Sequence, residues 1–192
     1  LVNDGEIGHS IDFHASKVAW DDEMRTIEPG ESLVYQYEAK YAGVWMYHCG
    51  TSPALHHIGN GMFGAIIIDP PELAPVDHEY VLVQSEVYTG PQGEPGDLAK
   101  MQTEAWDAVV FNGYVNQYQH RPIRVEPEER VRVFVLDAGP SENSAFHIDG
   151  TVTGNAASLT TTGTVSGSNV SYTTTNALAV NSRYTVTVPD LL

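Results

Sequence analysis

The stretch Tyr47-His48-Cys49-Gly50-Thr51-Ser52-Pro53-Ala54-Leu55-His56-His57-Ile58-Gly59-Asn60-Gly61-Met62 constrains this chain more than any other. It holds the only cysteine, and its spacing reads Cys-x7-His-x4-Met. A lone cysteine makes no intrachain disulfide, so it needs another account. Taken singly, each residue has an ordinary one: buried cysteines are usually small hydrophobes, and loop-end methionines are usually core. Together they put a soft thiolate, an imidazole and a weak thioether on one loop. A thiolate and two imidazoles in a plane with a weak axial thioether make a blue (type 1) copper electron-transfer site. The second imidazole must come from elsewhere, and His9 is the candidate.

Strand geometry adds a second, independent inference. His48 and Cys49 are neighbours, so on a strand they face opposite ways. His9 and His14 are five apart, an odd spacing, so they also point to opposite faces if that segment is extended. Two metal centres follow. Cys49 and His9 serve the first with His57 and Met62, and His48 and His14 serve the second. Five residues at ~3.3 Å span ~16 Å, so the Cys49–His48 peptide is short enough to carry electrons between them.

The rest of the chain reads as mostly β. Seventeen Gly and eleven Pro punctuate short runs rich in Val, Ile, Leu and Tyr, at residues 32–38, 64–68, 80–84 and 131–136. Runs of that length between turn signals indicate an all-β sandwich or barrel. One helix is expected over residues 97–108. Residues 69–75, Asp-Pro-Pro-Glu-Leu-Ala-Pro, form a stiff link, after which strand signals restart at Tyr80. Composition breaks near Gly150: residues 1–150 hold 4 Thr and residues 151–192 hold 11, with Arg183 and Asp190 the only charges beyond the break. That tract is a β-rich surface segment or an extension, and it holds no strong metal ligand. Alternation over residues 182–188 argues a strand there. A formal charge of −16 argues against nucleic-acid binding, which needs basic patches. No apolar stretch approaches the ~20 residues of a membrane span, and no export signal is expected within this chain.

Three motifs carry a family resemblance: Gly8-His9-Ser10-Ile11-Asp12-Phe13-His14-Ala15, Gly43-Val44-Trp45-Met46-Tyr47-His48-Cys49 and Gly59-Asn60-Gly61-Met62-Phe63-Gly64-Ala65. The motifs resemble the first cupredoxin domain of copper nitrite reductases and, more closely still, their relatives the bacterial two-domain multicopper oxidases, the resemblance covering roughly residues 1–150. Val110-Phe111-Asn112-Gly113 and Ser144-Ala145-Phe146-His147-Ile148-Asp149-Gly150 look like second-domain segments. The resemblance implies an all-β, cupredoxin-like Greek-key barrel or sandwich with two cupredoxin-type domains, the first N-terminally incomplete and the second truncated or divergent. The expected divisions are 1–70 for the first domain with type 1 copper, 71–79 for the linker and 80–150 for the second domain. Residues 151–192 complete that domain or extend it.

By the same resemblance His9, Cys49, His57 and Met62 bind type 1 copper, while His14 and His48 belong to the second copper. That centre lies between subunits, usually of a homotrimer, and Asp12 relays protons to its substrate. His147 is a copper ligand, a residue behind a ligand, or a core histidine. His56 reads as an edge residue near the electron-entry surface, and His78 and His120 as solvated. The family location is periplasmic or secreted. After His147 the family continues with a further copper-binding histidine, and here the Thr-rich tract follows instead.

Three functions remain open on these residues. A multicopper oxidase reduces dioxygen at a three-copper cluster built from eight imidazoles, usually as His-x-His pairs. This chain has eight His, two of them at type 1 copper, and no His-x-His. A nitrite reductase needs three imidazoles at one copper and an acid such as Asp12. The third function is a blue-copper electron carrier without catalysis. In each case a small-molecule or protein donor supplies electrons; in the first two the acceptor is dioxygen or nitrite.

Overall fold

A computed structural model of the chain describes residues 1–19, 21, 23–126, 128–144, 146, 149–153, 161–166, 169–174 and 183–187, with side chains through residue 146. In chain order the first elements are β1 (Asp12–Phe13), β2 (Gly43–His48), α1 (Ala54–Gly59) and β3 (Phe63–Ile68). The three strands form an antiparallel sheet in the order β1-β2-β3. Register places Asp12 opposite His48 and Phe13 opposite Tyr47, while β2 and β3 pair from Gly43–Ile68 to His48–Phe63. The strand-to-helix-to-strand excursion between β2 and β3 therefore returns Met62 beside Cys49, sealed by Cys49 N–H donating to the Met62 carbonyl at 3.0 Å. Gly64 sits opposite Tyr47, and a Cβ there would collide with the phenol ring. Its absence lets Tyr47 lie flat across the neighbouring strand.

The chain continues through β4 (His78–Val87), α2 (Leu98–Gln102), β5 (Ala108–Phe111), α3 (Gln117–His120), β6 (Ile123–Val125) and β7 (Val131–Asp137). A second sheet has the order β5-β4-β7, with β4 antiparallel to β5 and parallel to β7. A parallel neighbour requires a long crossover, which the segment between β4 and β7 supplies. Leu82 and Phe111 are buried at its centre, with Tyr118, Ile123, Val133 and Phe146 packed against them. The last elements are β8 (Asp149–Thr153), β9 (Thr161–Ser166), β10 (Asn169–Thr174) and β11 (Arg183–Thr187). β9 and β10 pair with each other, and β11 pairs antiparallel with both β6 and β8. The backbone of the Thr-rich tract is thus strand where it is described, and its residues 183–187 join a sheet with residues 123–125.

Three sequence expectations differ from the structure. Residues 32–38 alternate as a strand should: Leu33, Tyr35 and Tyr37 are half-buried while Val34 is 87% exposed. Yet they form no strand, only a bridge from Ser32 to Val2, and Leu33 N–H donates to the Leu1 carbonyl at 2.9 Å. Alternation reports a buried face, and here that face is met by ring packing of Tyr35 and Tyr37 on Phe13, at centroid distances of 5.5 and 5.4 Å. The helix expected over residues 97–108 is only Leu98–Gln102. Asp97 starts it, its carboxylate accepting from Ala99 N–H at 2.8 Å and Lys100 N–H at 3.2 Å. Glu104, at φ 55°, ends it in the left-handed region, where Ala105 N–H closes on the Lys100 carbonyl at 2.9 Å. β4 opens at His78, two residues before the expected restart at Tyr80.

Candidate metal centres

Cys49 follows the last residue of β2 and is 2% exposed, with its sulfur turned away from the His48 ring. His57 lies on α1 and is 7% exposed. His9 reaches the same point from a bridge with Ile27, made by reciprocal backbone bonds of 3.1 and 2.8 Å. Cys49 Sγ stands 3.4 Å from His57 Nδ1 and 3.9 Å from His9 Nδ1, and the two rings meet edge-on at 84°. An ion bonded at ~2.0–2.1 Å to nitrogen and ~2.3 Å to sulfur places those atoms ~3.6–3.8 Å apart at open angles. The spacings straddle that value, so the three donors fit one ion with little movement.

Ligation requires neutral imidazoles. Burial, together with neighbouring His9 and His56, holds His57 below its ordinary pKa. Met62 is 36% exposed and lines, with His9, Ser10 and Cys49, a cavity of about 390 Å³ over the centre.

The sulfur has a further neighbour that spacing did not reveal. Ser10 is 3% exposed, and its N–H lies 3.5 Å from Cys49 Sγ. Its Oγ accepts from Gly50 N–H at 3.0 Å and from Thr51 Oγ1 at 3.3 Å. The N–H faces the sulfur, and the hydroxyl ties the turn after Cys49 to the segment carrying His9. Its only sequence signal is its place beside His9. Tyr35 was also missed. Its Oη accepts from Ile11 N–H at 3.2 Å, and burial pushes its phenol above the ordinary range.

On the opposite face, Asp12, His14 and His48 gather their ligand atoms. His48 Nε2 is 3.0 Å from His14 Nε2 and 4.0 Å from Asp12 Oδ2. His48 Nδ1–H donates to the Cys49 carbonyl at 3.0 Å, because a carbonyl only accepts. That bond fixes the tautomer with the Nε2 lone pair free for a metal. Two imidazole nitrogens 3.0 Å apart match ~90° at an ion bonded at ~2.1 Å. Desolvation and the adjacent His48 hold His14 below its ordinary pKa, partly offset by Asp12. His14 itself leaves the strand: β1 ends at Phe13, and His14 N–H donates to the Met46 carbonyl at 3.1 Å. The opposite facing of His9 and His14 therefore comes from a bridge and a turn, not from one extended strand.

The remaining histidines separate. His56 is half-buried, and its Nε2–H donates to the Gly96 carbonyl at 3.2 Å. His78 pairs with Glu129 at 3.0 Å, where sequence reading left it solvated. His120 is exposed at the end of α3. His147 lies outside the described residues.

Comparison with known proteins bears on this pair of centres. A multicopper oxidase sequence profile matches residues 10–72. The copper-containing nitrite reductase of Neisseria gonorrhoeae is 35% identical over 154 residues, covering 76% of this chain and 39% of that protein. A copper nitrite reductase structure from Nitrosomonas europaea superposes with a TM-score of 0.72 at 32% identity, covering 99% of this chain and 68% of that chain. The chain belongs to the copper nitrite reductase and multicopper oxidase family of cupredoxins. Its fold is the all-β cupredoxin fold, shared with a multicopper oxidase crystal structure at a TM-score of 0.66 and 26% identity. This cupredoxin chain spans about two fifths of the length of the curated relatives it matches. The profile match to residues 10–72 contains Asp12, His14, His48, Cys49, His57 and Met62, while His9 precedes it by one residue.

Proposed function

We propose that the chain is the copper-bearing part of an oxidoreductase that reduces nitrite to nitric oxide. The observation that carries this reading is the juxtaposition of two donor sets joined by one peptide: Cys49 faces His9 and His57, and His48 faces His14 and Asp12. His9, Cys49, His57 and Met62 would hold a type 1 copper, and His14 and His48 a second copper with a third ligand from elsewhere. Copper supplies one-electron storage at the first site and a Lewis acid for the anion at the second.

The reaction is nitrite plus one electron and two protons to nitric oxide and water. This chain's residues serve it in three ways. The covalent Cys49–His48 link is the shortest path between the donor sets. The hydrogen bond from His48 Nδ1 to the Cys49 carbonyl couples the ring to that same peptide. Asp12, 4.0 Å from His48 Nε2, is positioned to hold a proton for the oxygen that leaves as water.

Nitrite is favoured over dioxygen because the relatives at 32–35% identity carry the nitrite reductase name, and the multicopper oxidase structure is 26% identical. The eight histidines of this sequence contain no His-x-His pair for a three-copper cluster. A small-molecule or protein electron donor, a homotrimeric assembly and a periplasmic or secreted location belong to the same proposal. Among the described residues no helix is long and apolar enough to cross a membrane.

Copper-loaded protein, given a reduced dye as donor, should consume nitrite and release nitric oxide. It should carry about two coppers per chain, in keeping with the two donor sets. Dioxygen consumption with four coppers per chain would establish the oxidase reading instead, and one copper without turnover the carrier.

A further inference from the structure

His57 is carried by α1, a helix of six residues. Isolated helices shorter than ~12–15 residues do not persist in water, so α1 is held from outside. Pro53, at its N-cap, makes no side-chain cap bond. The support comes from a segment nearly forty residues later in the sequence. Gly96 N–H donates to Asn60 Oδ1 at 2.7 Å, and the Gly96 carbonyl accepts from His56 Nε2 at 3.2 Å. Asn60 Nδ2 in turn donates to the His56 carbonyl at 2.7 Å, closing the ring of contacts. One residue is thus gripped on both sides by side chains that flank His57.

Contacts of shape reinforce the grip. A Cβ on Gly59 would lie 2.6 Å from Met101 Sδ, so α1 and α2 touch backbone to side chain. A Cβ on Gly96 would lie 2.7 Å from the Tyr88 carbonyl, so only glycine brings this residue close enough. Asp97 N–H donates to that same carbonyl at 3.1 Å, and its carboxylate caps α2. The gripped residue is therefore anchored in its turn.

We propose that Asn60 and His56, closing on Gly96, are positioning residues that set His57 Nδ1 against Cys49 Sγ. They need touch no metal. Their effect is to deny α1 the rotation that would carry His57 off the sulfur and open Cys49 to solvent. The proposal concerns the loop itself, and only its second readout rests on the copper reading.

The test compares Asn60→Ala, His56→Ala and Asn60→Asp, the last keeping an oxygen acceptor for Gly96 N–H. In metal-free protein the rate at which a small thiol reagent modifies Cys49 should rise ~10-fold in both alanine variants, the scale set by losing a net hydrogen bond. Asn60→Asp keeps the acceptor for Gly96 N–H and loses the donor to the His56 carbonyl, so its rate should fall between the parent and Asn60→Ala, and the denaturation midpoint of all three should move little. In copper-loaded protein the alanine variants should lose ~10–100-fold in copper affinity, the usual cost of removing a residue behind a ligand. Their thiolate-to-copper band should also shift. Parent-like thiol rates in both alanine variants would overturn the proposal. So would acceleration matched by an equal loss of global stability, because the whole fold would then hold the loop. If the parent takes up no copper while the thiol rates behave as expected, the clamp stands and the copper reading fails.

Discussion

At Cys49 the sulfur sits among two imidazole nitrogens and a backbone N–H within 3.9 Å, with the two imidazoles close enough to share one ion with it. Replacing it should remove the soft donor and leave the shape. Cys49→Ser should abolish the intense visible band of copper-loaded protein, since a hydroxyl does not supply thiolate charge transfer; a retained band would sink the assignment. Met62→Leu should keep bound copper and raise the reduction potential, as a weak axial ligand tunes potential more than affinity. Loss of all copper in that variant would show Met62 to be a principal ligand. These residues were legible in the sequence because Cys-x7-His-x4-Met and the neighbouring His48 are local patterns. Ser10 was not, because its role is a backbone N–H and a hydroxyl directed across the fold to a residue 39 positions away. The hydrogen-bond partner of His56 was illegible for the same reason, being a carbonyl 40 positions on.

Elements were legible where hydrophobic period and ladder agree, and illegible where they part. The apolar runs at 64–68, 80–84 and 131–136 became β3, β4 and β7, each with a full pairing partner. Residues 32–38 have the period and lack the ladder, since among described residues their pairing with residues 1–3 ends at Leu33. In 97–108 the chain changes state at Glu104, whose positive φ no apolar pattern announces. Two element-scale predictions follow from these contacts. Leu82, 1% exposed in the β4 core, should cost ~2–5 kcal/mol when cut to Ala, read as a lower denaturation midpoint with m unchanged. Asp107 accepts from Lys100 and Thr89 beside α2, with a pKa near about 2 caused first by the Lys100 bond. Its folded value lies below the unfolded one, so its contribution is complete above the ordinary carboxylate range and is lost as pH falls toward about 2. Asp107→Asn should lower the neutral-pH midpoint slightly, because the pair is exposed, and leave the midpoint at the acid end unchanged, so that limb of the stability–pH curve flattens.

The two centres make different demands on the whole molecule. The first assembles three donors from within this chain, two of them buried, with Ser10 against Cys49 and Gly96 against the helix of His57. The second draws on Asp12, His14 and His48, and offers only two imidazoles, with His14 exposed to one side. A copper that holds tightly and still admits an anion wants a third imidazole, and among the described residues no other histidine joins that group. Under the proposed homotrimer that imidazole comes from a neighbouring copy, across a contact that uses different surfaces on the two partners and closes at three-fold rotation. His147 is the only histidine after residue 120, so it is the candidate to serve the partner's second centre, directly or from behind a ligand. His147→Ala should then remove the second copper and nitrite turnover while the blue band at Cys49 keeps its intensity. Copper counted per chain falls by about one, in line with one such centre per chain. Sedimentation should report a trimer for the parent. A monomer that binds two coppers per chain and is indifferent to His147→Ala would defeat the shared-site reading. The blue band separates that outcome from simple misfolding, because a chain that has lost its fold cannot hold His57 at 3.4 Å from Cys49.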